Sequence, residues 1–109
     1  MEPITDPMIE ALRANPVAPR DYISWLEQHG WGELHHGKYM LYSGLVALQD
    51  ISPDAPDGFW SFGDDFAGCN GCFSESGDRA VFEWDSSTGK PAATGKGFPS
   101  YISGRASSP

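Results

Sequence analysis

The sequence predicts an α+β domain: N-terminal helices packed on a mostly antiparallel, twisted sheet, closed by a short C-terminal helical stub. Three observations lead there. Apolar residues follow a helical spacing in the segments around Met8, Ile9 and Leu12 and from Tyr22 to Leu26. Between positions 39 and 85 they come instead in short runs broken by Gly, Pro, Asp and Ser. A last cluster, Phe98, Tyr101 and Ile102, returns to helical spacing. Helices first and a run of strands afterwards is the order of an α+β layout.

Asp6-Pro7 opens the first helix, with Asp6 as its cap and Pro7 in its first turn. Asn15-Pro16 ends it, because the residue before a proline avoids the helical region. In the second helix Pro19 suits the first turn, and Asp21 meets the positive end of the helix dipole. Tyr22, Ile23, Trp25, Leu26 and His29 form its stripe, which places Trp25 inside. Gly30 stops this helix as a left-handed cap, and Trp31 folds back onto Leu26.

Residues 39–42 and 45–48 then read as two short strands, 52–58 as a loop and 59–62 as a third strand, broken by Gly63-Asp64-Asp65. Residues 69–75 and 79–85 read as a hairpin turning through Ser76-Gly77-Asp78. In its second strand Ala80, Phe82 and Trp84 share one face, and Val81, Glu83 and Asp85 the other. Residues 86–89 read as a turn, Pro99 starts the closing helix, and 103–109 read as a frayed tail.

With 109 residues there is room for one domain. Apolar residues make up only 39% of the chain, and four Trp, four Tyr and six Phe supply the bulk a core needs. Fifteen acidic residues against seven basic ones give a formal net charge of −8. That field opposes nucleic acid, whose phosphates require Lys and Arg, and favours a basic protein partner. No apolar run approaches the ~20 residues of a membrane span, and the N-terminus lacks the pattern of a secretory signal. The expectation is a cytoplasmic protein with no membrane partner.

The segment Pro19-Arg20-Asp21-Tyr22-Ile23-Ser24-Trp25-Leu26-Glu27-Gln28-His29-Gly30 resembles the proline–acid–tyrosine helix ending in glycine that opens SUKH domains, relatives of the fungal Smi/Knr cell-wall-synthesis regulators. Phe62-Gly63-Asp64-Asp65-Phe66-Ala67-Gly68 resembles that superfamily's central turn. Val81-Phe82-Glu83-Trp84-Asp85 resembles the strand that follows, and Phe98-Pro99-Ser100-Tyr101-Ile102 the start of its closing helix. The resemblance makes residues 1–109 a single SUKH-like domain with its core at about 8–102, and it rests on the order and spacing of these motifs. The chain departs from the pattern in a truncated closing helix and in Cys69-Asn70-Gly71-Cys72, where a plain strand is expected. What the resemblance implies is protein binding without catalysis: an immunity protein that neutralises a nuclease-type toxin, or a related regulatory protein.

The residues themselves point the same way. No nucleophile, base and orienting acid belong together, and no Gly-x-Ser-x-Gly or phosphate loop occurs, so an enzyme is not expected and no cofactor is called for. The predicted docking surface is an acidic rim of Glu33, Asp57, Asp64 and Asp65, with Trp60 as a partly exposed anchor. For the Asp64-Asp65 pair the alternative is structural, since Asp in a turn bonds its own backbone. The alternating ligands of a calcium loop are absent. A second class of reading is a small zinc protein using Cys69 and Cys72 with His35 and His36. Against it, residues three apart on a strand face opposite ways.

Overall fold

A computed structural model describes residues 2–34, 37–76 and 80–107, the last three of these by their backbone alone. The elements are α1 (Asp6–Ala14), α2 (Arg20–His29), β1 (Gly32–Leu34), β2 (Tyr39–Ala47), α3 (Leu48–Ile51), β3 (Phe59–Asp64), β4 (Cys69–Ser74), β5 (Phe82–Asp85), β6 (Pro91–Ala93) and α4 (Phe98–Ser107). The strands form one sheet in sequence order, every neighbour antiparallel, so the predicted α+β architecture is the observed one. No helix among the described residues is long and apolar enough to cross a membrane.

Local chemistry explains the boundaries. Thr5, one residue before the expected cap Asp6, caps α1: its hydroxyl accepts from the Met8 N–H at 3.4 Å, which leaves Asp6 and Pro7 in the first turn. Pro19 likewise sits just outside α2, at the cap. At the far end of α2, Gly30 has φ +83°, and any Cβ there would collide with the Glu2 carbonyl. Glu2 passes so close because it exchanges backbone hydrogen bonds of 2.8 and 2.9 Å with Trp31. Glycine is thus required twice over, by conformation and by space.

Two expectations about the strands change. Residues 39–42 and 45–48 belong largely to a single strand, β2, whose register against β3 shifts between Leu41 and Val46, and Leu48 already starts α3. A bulge of this kind adds residues without ending the ladder, so it reads in sequence as an interruption. Gly63 does not break β3 either: it lies within the strand, packed against the backbone of Met40 and Leu41. At the C-terminal end α4 continues as helix through Ser107, past the expected stub.

Apolar side chains are buried on both faces of the sheet. On one, α1, α2 and α4 contribute Ile9, Leu12, Tyr22, Ile23, Leu26, Phe98, Tyr101 and Ile102 to a core shared with Leu34, Tyr39, Leu41, Phe62, Phe73 and Val81. Trp25 and Trp31 pack at its edge, half-buried. On the other face α3 and the loop after it bring Leu48 and Ala55 onto Cys72 and Trp84, with Phe59 and Phe82 alongside. The predicted alternation in β5 holds: Phe82 and Trp84 face this second core, and Val81 faces the helices.

Candidate functional site

One line of residues crosses the whole sheet. Glu33 lies opposite Met40, Met40 opposite Asp64, Asp64 opposite Asn70, Asn70 opposite Trp84 and Trp84 opposite Pro91. Directly paired residues share a face. Since Trp84 belongs to the second core, the line runs across the face turned away from α1, α2 and α4. Here the sheet carries polar groups. The Tyr42 hydroxyl donates to Asp64 Oδ2 at 2.5 Å. The buried Ser61 hydroxyl lies 2.9 Å from Asn70 Oδ1 and 3.1 Å from the Gly63 carbonyl. Burial first, and then the Asp64 carboxylate beside it, push the Tyr42 phenol well above its ordinary range.

The loop between β3 and β4 is tied down by its own aspartates. Asp64 Oδ1 accepts the Phe66 N–H at 2.8 Å, and Asp65 Oδ1 accepts the N–H groups of Ala67 and Cys69 at 2.9 and 3.1 Å. The Asp65 N–H closes the loop onto the Cys69 carbonyl at 3.1 Å. The pair therefore performs the turn-forming role that the sequence offered as the alternative. Phe66, at the tip, has φ +63° and is 55% exposed.

The five predicted docking residues fall into two groups. Glu33, Asp64 and Asp65 lie at the end of the sheet that carries the β3–β4 loop. Asp57 and Trp60 lie at the opposite end, about 13 Å away along four residues of β3. There the Trp60 indole donates to Glu75 Oε1 at 2.7 Å, and Asp57 accepts the Gly58 N–H at 2.9 Å. Trp60 is paired with Phe73, so it faces the helix side and is half-buried. The structure does not gather these residues into one rim, because β3 runs unbroken to Asp64 and its length stands between Trp60 and the Asp64 end.

Around the Phe66 loop the acids outnumber the bases among the described residues. Glu33, Asp64, Asp65 and Asp85 stand at this end with Lys38 and Lys90. Asp85 is paired with Cys69, and the Ser87 N–H and hydroxyl, both at 2.8 Å, hold its carboxyl below the usual range.

Cys69 and Cys72 face opposite ways. Cys72 is buried in the second core, where burial and then the neighbouring Cys69 push its thiol up to about 12. Cys69 points to the helix side, its sulfur 3.9 Å from Glu83 Oε2, an oxygen that also accepts the Tyr101 hydroxyl at 2.9 Å. His35 and His36 lie outside the described residues. Among the described residues no group of three or more His, Cys, Asp or Glu could hold a metal ion. Two open clefts, of about 530 Å³ beside Arg13 and Arg20 and about 370 Å³ beside Glu83 and Lys96, take in none of the predicted docking residues.

Sequence reasoning missed Phe66 and Tyr42. The first had a legible signal, two aspartates each placed two residues before a backbone N–H they could accept. The second had none, since Tyr42 meets Asp64 only through a strand register with a bulge in it. Together these observations define a small α+β domain that presents an acidic sheet end tipped by one aromatic ring. Comparison with protein-family models, with curated proteins and with solved structures finds no match.

Proposed function

We propose that this chain is a non-enzymatic protein-binding domain of the cytoplasm, an immunity protein that neutralises a nuclease-type toxin or a related regulatory protein, and that its Asp64–Asp65 end docks a basic partner. The observation that carries this reading is the charge of that end: four carboxylates with two lysines among the described residues, in a chain of net charge −8. Such a field speeds the encounter with a cationic protein and rejects acidic ones. The resemblance to SUKH immunity proteins supports the same class of activity and suggests a nuclease, whose own substrate demands a basic surface.

Glu33 is the residue through which to test it, being exposed on β1. Asp64 and Asp65 are poorer choices, because charge reversal there would also release the loop. Tagged protein recovered from native lysate is expected to bring down a basic protein. Raising salt from about 0.05 to about 0.5 M should release it, since screening shortens to a few ångströms. Glu33→Lys should weaken the capture several-fold. A neutral or acidic companion, held equally well at both salt concentrations, would end this reading.

A further inference from the structure

We infer that Phe66 is the anchor of this docking surface and that its ring stacks on an arginine side chain of the basic partner. The inference rests on the docking reading above and specifies the chemistry of its contact. Phe66 is the only non-glycine residue with positive φ among the described residues. It is also the most exposed of the large apolar side chains there, at 55% against 41% for Ile51 and 36% for Val46. Neither property serves folding well: an L side chain is strained in that conformation, and a ring left 55% exposed gives up much of the stabilisation that burial would supply.

The loop does not need a ring at this position. What holds it are the backbone N–H of Phe66 and the carboxylates of Asp64 and Asp65, which glycine or asparagine would serve equally well and with less strain. The ring belongs to neither core. A side chain that the fold does not use, held outward by a pinned loop, has the form of an interface anchor. Its surroundings select the occupant. Asp64 and Asp65 precede it directly, and Asp85, paired with Cys69, stands at the same sheet end on its helix face. A ring that directly follows two carboxylates in the chain suits guanidinium, a planar and weakly hydrated cation that stacks on an aromatic face while its N–H fork meets the acids. Ammonium is compact and strongly hydrated, and it gains less from the ring.

Fluorescein-labelled octa-arginine and octa-lysine, titrated by anisotropy at low salt, test this directly. The wild-type protein is expected to bind octa-arginine about threefold tighter. Phe66→Leu keeps an apolar side chain and removes the π face, so it should abolish the preference and leave octa-lysine binding unchanged. Phe66→Gly should lose the preference too while raising the melting temperature, which separates loss of binding from loss of fold. Equal binding of the two peptides by wild type, or an intact preference in Phe66→Leu, overturns the anchor and leaves salt-sensitive docking standing. Failure of both peptides to bind at low salt brings down the docking reading along with it. Sedimentation of the same proteins covers the remaining occupant: a wild-type dimer that Phe66→Leu dissociates would give the ring to a second copy and overturn the arginine assignment.

Discussion

Ser61 and Phe62 are consecutive, both fully buried, and belong to different kinds of interior. Phe62 points to the helices, where its ring stands 5.0 Å from Phe73, 5.1 Å from Phe98, 5.8 Å from Tyr101 and 6.1 Å from Tyr22. Ser61 points the other way, into hydrogen bonds with Asn70 and the Gly63 carbonyl. The helix face is filled by interlocking aromatic shapes, so tightly that Gly71 opposite has no room for a methyl group beside the Phe62 ring and the Tyr39 hydroxyl. The far face carries a smaller apolar cluster, Leu48, Ala55, Cys72 and Trp84 with Phe59 and Phe82, beside a polar one, and the polar one holds Asp64, from which the Phe66 loop hangs. Apolar packing is non-directional and supplies stability, while hydrogen bonds are directional and supply geometry. One face keeps the sheet folded and the other aims the loop.

Substitutions at these two neighbours test that division. Phe62→Ala removes a ring from the centre of the aromatic group and should cost about 4 kcal/mol in urea unfolding, with loss of near-ultraviolet dichroism. Ser61→Ala removes one hydroxyl and should cost about 2 kcal/mol, because it strands Asn70 Oδ1 in a buried setting. The sharper difference lies in hydrogen exchange. Ser61→Ala should speed exchange of the Phe66, Ala67 and Cys69 amides relative to the rest of the sheet, whereas Phe62→Ala should raise exchange everywhere together. If both variants loosen the loop only as far as they lower global stability, the two faces have no separate roles.

Most of the helix face was legible in sequence, because its signals are local. The stripe from Tyr22 to Leu26, the stop at Gly30 and the alternation of Val81, Phe82, Glu83 and Trp84 each follow from periodicity within a few residues. The far face was not, because it is assembled by pairing. Tyr42 and Asp64 are 22 positions apart and meet only through the shifted register of β2 on β3. The separation of Asp57 and Trp60 from Asp64 has another cause, since β3 continues through Gly63 to Asp64 and its length lies between them, whereas Glu33 joins the Asp64 end through pairing. β6 escaped for a different reason: Pro91, Ala92 and Ala93 have no β-branched or aromatic side chain, and an edge strand tolerates such residues. The turn role of Asp64 and Asp65 was legible as chemistry, but not its consequence, an aromatic ring held outward at positive φ.

Two tyrosines carry the comparison to its finest level, one hydroxyl on each face. Tyr22 is buried among rings with its hydroxyl unpartnered among the described residues, and burial raises its phenol far above the ordinary value. Tyr42 donates to Asp64. Removing an unsatisfied buried hydroxyl relieves a desolvation cost, whereas removing a satisfied one forfeits a bond to a charged group. Tyr22→Phe is therefore expected to stabilise the protein by about 1 kcal/mol and Tyr42→Phe to destabilise it by about 1 kcal/mol at pH 7. The pH dependence has one sign for both. Each phenol has its pKa raised on folding, so its contribution is complete below the unfolded value near 10 and is lost as pH climbs toward the folded value. Urea midpoints measured from pH 8 to 11 should fall for wild type and fall less steeply for either variant. Opposite shifts at neutral pH, with parallel relief at alkaline pH, would mean that the two hydroxyls titrate alike and differ only in having a partner. A loss of stability in Tyr22→Phe as large as that in Tyr42→Phe would instead show that the helix face, too, is held by a hydrogen bond, and the contrast between a packed face and an aimed one would have to be given up.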